Sequence, residues 1–179
     1  MLNFEGKYFV SFAVINWIDI FTRLEYFNIV AESLNYCISE KGMVLYAYCI
    51  MPSHVHLIFE DLNDNPSKLL KELKVFTSKN IRKAIENNPQ ESRKEWILWM
   101  MKRAGSKNSN VKEYQFWQQH NKPIELWSAH VIDQKIEYIH NNPVVAGFVE
   151  EAHYWKYSSA IDYSGGKGLV KVTDVYGRT

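Results

Sequence analysis

Residues 43–60, MVLYAYCIMPSHVHLIFE, decide the fold. Two apolar runs flank Pro52-Ser53, and such a pair between strand-like runs marks a turn. Residues 43–51 and 54–60 therefore read as the two strands of an antiparallel hairpin. Successive side chains of a strand alternate between faces, so His54 and His56 project together while Val55 and Leu57 point the other way. Two imidazoles on one face of a stiff strand can hold a divalent metal. An isolated His-x-His is more often an ordinary half-buried pair, so its meaning depends on what the rest of the chain supplies.

Outward from the hairpin, residues 7–17 (KYFVSFAVINW) are aromatic and β-branched and read as a first strand. Residues 23–39 carry apolar side chains at near-helical spacing, with Asp19 or Thr22 as the cap and Lys41-Gly42 as the stop. After the loop DLNDNP, residues 67–87 form a helix with a leucine and isoleucine stripe and cations on its other faces. Residues 91–102 read as a short helix and 104–110 as a polar loop, so 88–112 looks like an insertion or flap. YQFWQQ (114–119) reads as a fourth strand and 120–123 as a turn or bulge. Ser128 is a good N-cap for a helix over 129–142, which Asn142-Pro143 ends or kinks. Residues 161–179, with Gly165-Gly166-Lys167-Gly168, read as a flexible tail.

The order strand, helix, strand, strand, helix, strand, helix specifies a ferredoxin-like (RRM-like) α+β fold. Its antiparallel sheet is covered by helices on one face, and the histidine pair lies on a central strand. The expectation is a single domain over residues 1–160.

Composition narrows the classes. A chain of 179 residues with a hydrophobic share of 46% can bury a real core. Its net charge of +1 makes any polyanion site a local patch. Cys37 and Cys49 form no metal-type spacing and read as reduced thiols. No signal peptide is expected from the opening residues, and no apolar run approaches the ~20 residues that span a bilayer. The expectation is a soluble cytoplasmic protein.

The second half of a site lies in residues 133–149 (DQKIEYIHNNPVVAGFV). Tyr138 and Asn142 are four apart and share a helix face, with His140 on another side. Alone, Tyr138 reads as a core tyrosine. Packed against the histidine strand, the same helix sets a nucleophile beside a metal with three protein ligands. That His/His/amide set is incomplete for six-coordinate Mg²⁺ or Mn²⁺, leaving room for water and a phosphate oxygen.

Pro52-Ser53-His54-Val55-His56 followed by YIHNNPVVAG (138–147) resembles the HUH-type single-tyrosine transposases, in particular the REP-associated tyrosine transposases. The resemblance runs from the first strand to about residue 157. It implies that His54 and His56 are the metal pair, Asn142 the third ligand and Tyr138 the nucleophile, with Mg²⁺ or Mn²⁺ as cofactor. It also implies cleavage and rejoining of single-stranded, hairpin-containing DNA through a 5′-phosphotyrosine. Some relatives exchange the tyrosine helix between protomers, so a homodimer is a further expectation. For the general base, Asp133, Glu137 and His130 lie within sequence reach.

Phosphate contacts are expected from Lys74, Lys79, Arg82 and Lys83, and base stacking from Trp117 and Trp127, although each tryptophan also suits a core. Two rival readings stand beside transposition: a nucleic-acid-binding module on the same fold, and a metal-dependent phosphodiesterase that uses water.

Overall fold

The alternation in residues 54–61 sorts the molecule into two sides. In the computed structural model, which describes residues 6–109 and 113–177, β1 (Tyr8–Ala13), β2 (Met43–Ile50), β3 (His54–Asp61) and β4 (Ile124–Glu125) form one antiparallel sheet in the order β2-β3-β1-β4. The hairpin closes at Pro52-Ser53, where the Met51 N–H donates to the His54 carbonyl at 2.8 Å. β3 is hydrogen-bonded on both edges: His56 lies opposite Ser11 of β1 and Cys49 of β2. The histidine pair is therefore central, as expected, and the strand that carries it is held on both sides.

Val55, Leu57 and Phe59 point into a core shared with α1 (Leu24–Glu40), α2 (Pro66–Asn87) and α3 (Lys94–Ser106). All three are fully buried, and each contributes about 1.5–3 kcal/mol on leaving water. Ile58 points to the opposite face, where Phe9, Ala47 and Cys49 pack with Ile132, Ile136 and Ile139 of α4 (Ala129–Val145). The long helices α1 and α2 thus cover one face, and the helix carrying Tyr138 lies across the other.

Local signals account for most helix ends. Asn65 caps α2, its side chain accepting from the Lys68 N–H, with Pro66 at the first helical position. Ser128 caps α4 by accepting from the Val131 N–H at 3.3 Å. Pro143 does not end α4, because it falls in the last turn, where little of the hydrogen-bond ladder remains to be lost. The expected cap of α1 is absent. Thr22 instead accepts from Arg93 at 3.0 Å, and Arg23 precedes the helix without a side-chain cap.

Three expectations are corrected. Residues 114–119 are not a strand: β1 is followed by a left-handed turn at Asn16 and Trp17 (both φ 54), which carries the edge away from the ladder. Among the described residues the segment keeps an isolated bridge between Val14 and Trp117 there, and the fourth strand is Ile124–Glu125. The 88–112 segment is not a flap in its described part, since Ile97 and Met101 of α3 are fully buried in the core. The tail packs rather than dangling. Thr173 N–H donates to the Leu45 carbonyl at 2.8 Å, and Val170 and Val175 are buried on the two sides of the sheet. Gly168 permits that path, because a Cβ there would meet Asp162 Oδ2 at 2.5 Å. Among the described residues, no helix is long and apolar enough to cross a membrane.

Candidate active site

β3 delivers two imidazoles and α4 delivers a phenol and an amide, and the packing of α4 on β2 and β3 brings the four together within one chain. The ring centroids of His54 and His56 are 4.7 Å apart. Tyr138 stands edge-on to His56 at 5.3 Å between centroids. His54 Nε2 and Asn142 Oδ1 are 3.4 Å apart. Tyr138 is half exposed, so its ring faces solvent over the buried His56.

Electrostatics suit ligand chemistry. His56 is 2% exposed, and among the described residues neither of its ring nitrogens has a partner at hydrogen-bond distance, the Asn142 amide being its near neighbour. Burial, reinforced by neighbouring His54, holds its pKa down at about 3, so the ring is neutral at physiological pH. Burial also lowers His54, with the Asn142 amide opposing the shift. An orphaned buried imidazole costs ~1–3 kcal/mol. A cation that accepts its lone pair removes that cost, and two ligands each ~2.1 Å from one ion stand ~3 Å apart. The His54–Asn142 spacing is close to that. Ser53 Oγ lies 3.2 Å from His54 Nδ1, an outer contact of the sort that orients a ligating ring. The residues present therefore fit a divalent cation. Among the described residues there is no group of three or more His, Cys, Asp or Glu that could hold a metal, so the set here depends on the Asn142 amide for its third member.

His140 lies on another side of α4, as its position implied. Its Nε2 is 2.8 Å from Ser159 Oγ, and Ser159 in turn accepts from the Tyr48 N–H of β2 at 2.9 Å. Burial lowers the His140 pKa to about 4, so a neutral ring anchors α4 to the sheet two residues from both Tyr138 and Asn142.

Three neighbours escaped the sequence reading. Phe9 packs against both His56 and Tyr138 at 6.2 Å, diagonal to His56 across the β1–β3 pair, where cross-strand register could have signalled it. Lys135 sets its ammonium 4.6 Å above the Phe9 ring and 5.6 Å above the Tyr138 ring, a helical i,i+3 neighbour of the tyrosine. Trp17 meets His54 edge-on at 5.3 Å, and no local pattern announced it. Of the general-base candidates, Asp133 is engaged by the Tyr176 hydroxyl at 2.5 Å.

The expected DNA contacts divide. Trp117 is 5% exposed, and its indole N–H donates to Thr77 Oγ1, so it is a core residue and not a stacking platform. Lys74 turns inward to Gln118 O and Asn121 Oδ1, both at 2.9 Å, and burial lowers its pKa to about 8. It ties α2 to the 118–121 segment and is not a surface phosphate contact. Arg82 pairs with Glu86 at 2.7 Å and lies over the Tyr114 ring. Lys79 and Lys83 are exposed, on a helix that packs against the face opposite the histidines. Trp127 is exposed.

A family model described as "Transposase IS200 like" matches residues 18–114, more than half of the chain, and the chain belongs to that family. The matched span holds His54 and His56 and ends before Tyr138. Among solved structures, the chain is similar to a REP-associated tyrosine transposase bound to a REP hairpin, with 16% identity, coverage of 97% of this chain and 92% of the other, and a TM-score of 0.62. At that identity the likeness is one of fold. A looser likeness is to a transposase candidate from Deinococcus radiodurans, 17% identical over 75% of this chain and 88% of the other, with a TM-score of 0.47. No curated protein matches the chain.

Proposed function

We propose that this transposase cuts and rejoins single-stranded DNA next to a hairpin, with Tyr138 as nucleophile. The observation that carries the reading is the meeting of Tyr138 with the orphaned His56 ring inside one protomer. The phenol oxygen attacks the scissile phosphorus, the bond from phosphorus to the 3′ oxygen breaks, and a 5′-phosphotyrosine and a 3′-hydroxyl result. Attack by a second 3′-hydroxyl reverses the exchange and regenerates the phenol, so bond energy is conserved.

His54, His56 and Asn142 are the residues that hold Mg²⁺ or Mn²⁺. The bound cation supplies Lewis acidity toward a non-bridging phosphate oxygen. Lys135 places positive charge over the Tyr138 ring, on the side where negative charge builds between the attacking oxygen and the phosphate in the transition state. Phe9 and the buried side of His56 limit the ring's motion and keep water from one side of it. His140, held by Ser159, sets the rotation of α4 and hence the direction in which Tyr138 and Asn142 point.

A labelled hairpin oligonucleotide with single-stranded flanks, incubated with Mn²⁺ and run on a denaturing protein gel, tests the reading. A covalent adduct that disappears in Tyr138→Phe supports it. Cleavage that survives this substitution indicates a water-using phosphodiesterase, and binding without cleavage indicates a recognition module. Either result overturns the assignment.

A further inference from the structure

Trp17 and Asn16 occupy the left-handed region, φ 54 in each, although neither is glycine. A bulky side chain adopts that conformation only where its surroundings enforce it. Here the turn is clamped from two directions. Val14 N–H donates to Ser53 O, and Ile15 N–H donates to Phe116 O, both at 2.8 Å, while Trp17 N–H closes onto Val14 O at 3.0 Å. The clamp withholds the indole from the core and leaves it 57% exposed against His54.

Trp17 is also one wall of a groove of about 970 Å³. Arg103 and Lys107, at the C-terminal end of α3, supply its cations, and Gln118, Gln119 and His120 line the remaining side. None of its described lining residues is acidic. The groove thus starts at an exposed indole that touches the proposed metal ligand His54 and continues between cations. Single-stranded nucleic acid is bound by that combination of base-stacking aromatics and phosphate-directed charge.

We propose that this groove seats the unpaired nucleotides beside the phosphate that Tyr138 attacks. Trp17 stacks on the base nearest that phosphate, and Arg103 and Lys107 pair with the backbone beyond it. The assignment rests on the cleavage reading above and adds the path of the strand. It differs from a path along the exposed lysines of α2, Lys79 and Lys83, which do not line the groove.

The test uses full-length Tyr138→Phe protein, which keeps the strand intact. A hairpin oligonucleotide carries 5-iodouracil at successive positions of its single-stranded flank, and cross-linked peptides are mapped after irradiation. Cross-links at Trp17 from a flank position, with flank-dependent affinity about tenfold weaker in Trp17→Ala and partly restored in Trp17→Phe, support the groove. Arg103→Glu should weaken flank binding and leave affinity for the blunt hairpin unchanged. Cross-links confined to α2, with Trp17→Ala and Arg103→Glu binding normally, overturn the groove even where wild-type protein forms its covalent adduct. Absence of that adduct in wild type overturns the cleavage reading alone, because cross-linking and affinity are read without cutting. Unfolding midpoints equal to wild type confirm that both substitutions act at the surface.

Discussion

The buried ring of His56 and the half-exposed ring of Tyr138 meet edge to face, 5.3 Å between centroids and 77° between planes. A strand near the middle of the chain and a helix near its end are brought into contact there by apolar packing, since Ile132, Ile136 and Ile139 dock α4 onto Ile58, Ala47 and Cys49. The chemistry proposed for the site follows from that docking.

His56 bears two unpartnered nitrogens in a buried position, so it is a stability liability unless an ion takes its lone pair. His56→Leu should leave metal-free stability within about 1 kcal/mol of wild type or raise it, since an unsatisfied polar group is replaced by an apolar one. Mn²⁺ should raise the wild-type unfolding midpoint and leave that of the variant in place. Thermal scans with and without Mn²⁺ decide this. An equal Mn²⁺ response in both proteins would remove His56 from the ligand set.

Lys135 should matter to rate more than to binding. Lys135→Ala should slow adduct formation about tenfold, or ~1.4 kcal/mol of barrier, with hairpin affinity little changed. Single-turnover kinetics separate the two, and an unaltered cleavage rate would dismiss the role of this charge.

His140 holds α4 through Ser159 and makes no contact in the proposed chemistry. His140→Phe should cost about 0.5–1.5 kcal/mol of stability by removing the bond to Ser159, whose hydroxyl keeps the Tyr48 N–H and carbonyl as partners, and it should slow cleavage without changing Mn²⁺ affinity greatly. Denaturant unfolding together with metal titration checks both parts. Full stability would show that the anchor is dispensable.

Glu91 joins the starts of α1 and α3. Its carboxylate accepts from Arg23 Nε and the Tyr26 hydroxyl on one oxygen, and from Arg93 N–H and Nε on the other. Burial alone would raise its pKa, but the Arg93 backbone bond and the two guanidiniums more than offset that and lower it. An acid with a depressed folded pKa stabilises the fold above its unfolded value, about 4.3, and that stability is lost as pH falls through the folded pKa. Glu91→Gln should therefore cost about 1.5–3 kcal/mol at pH 7 and flatten the acid limb of the stability profile below pH 4.5. Urea midpoints from pH 7 down to pH 3 test this. Parallel profiles for the two proteins would disprove it.

How much of this was legible before folding follows from the range of each signal. The period-two alternation of residues 54–60 and the Pro52-Ser53 turn specified the hairpin and put both histidines on one face. The 3.6-residue stripe specified α2, and Ser128 specified the start of α4. These are consequences of backbone geometry over a few residues. The motif 138–142 also showed that Tyr138 and Asn142 share a helix face.

Other features were decided only by tertiary packing. A helix stripe tells that a face will be buried, not which side of the sheet receives it, so the placement of α4 opposite α1 and α2 waited for three dimensions. The same limit explains Trp117 and Lys74, whose composition suited DNA but whose positions face Thr77 and the 118–121 segment. The left-handed turn that exposes Trp17 is enforced by residues 53 and 116, far from it in sequence. Sequence by itself determined which residues could share a surface. Tertiary structure decided which surfaces meet, because that choice depends on apolar area and hydrogen bonds contributed by distant parts of the chain.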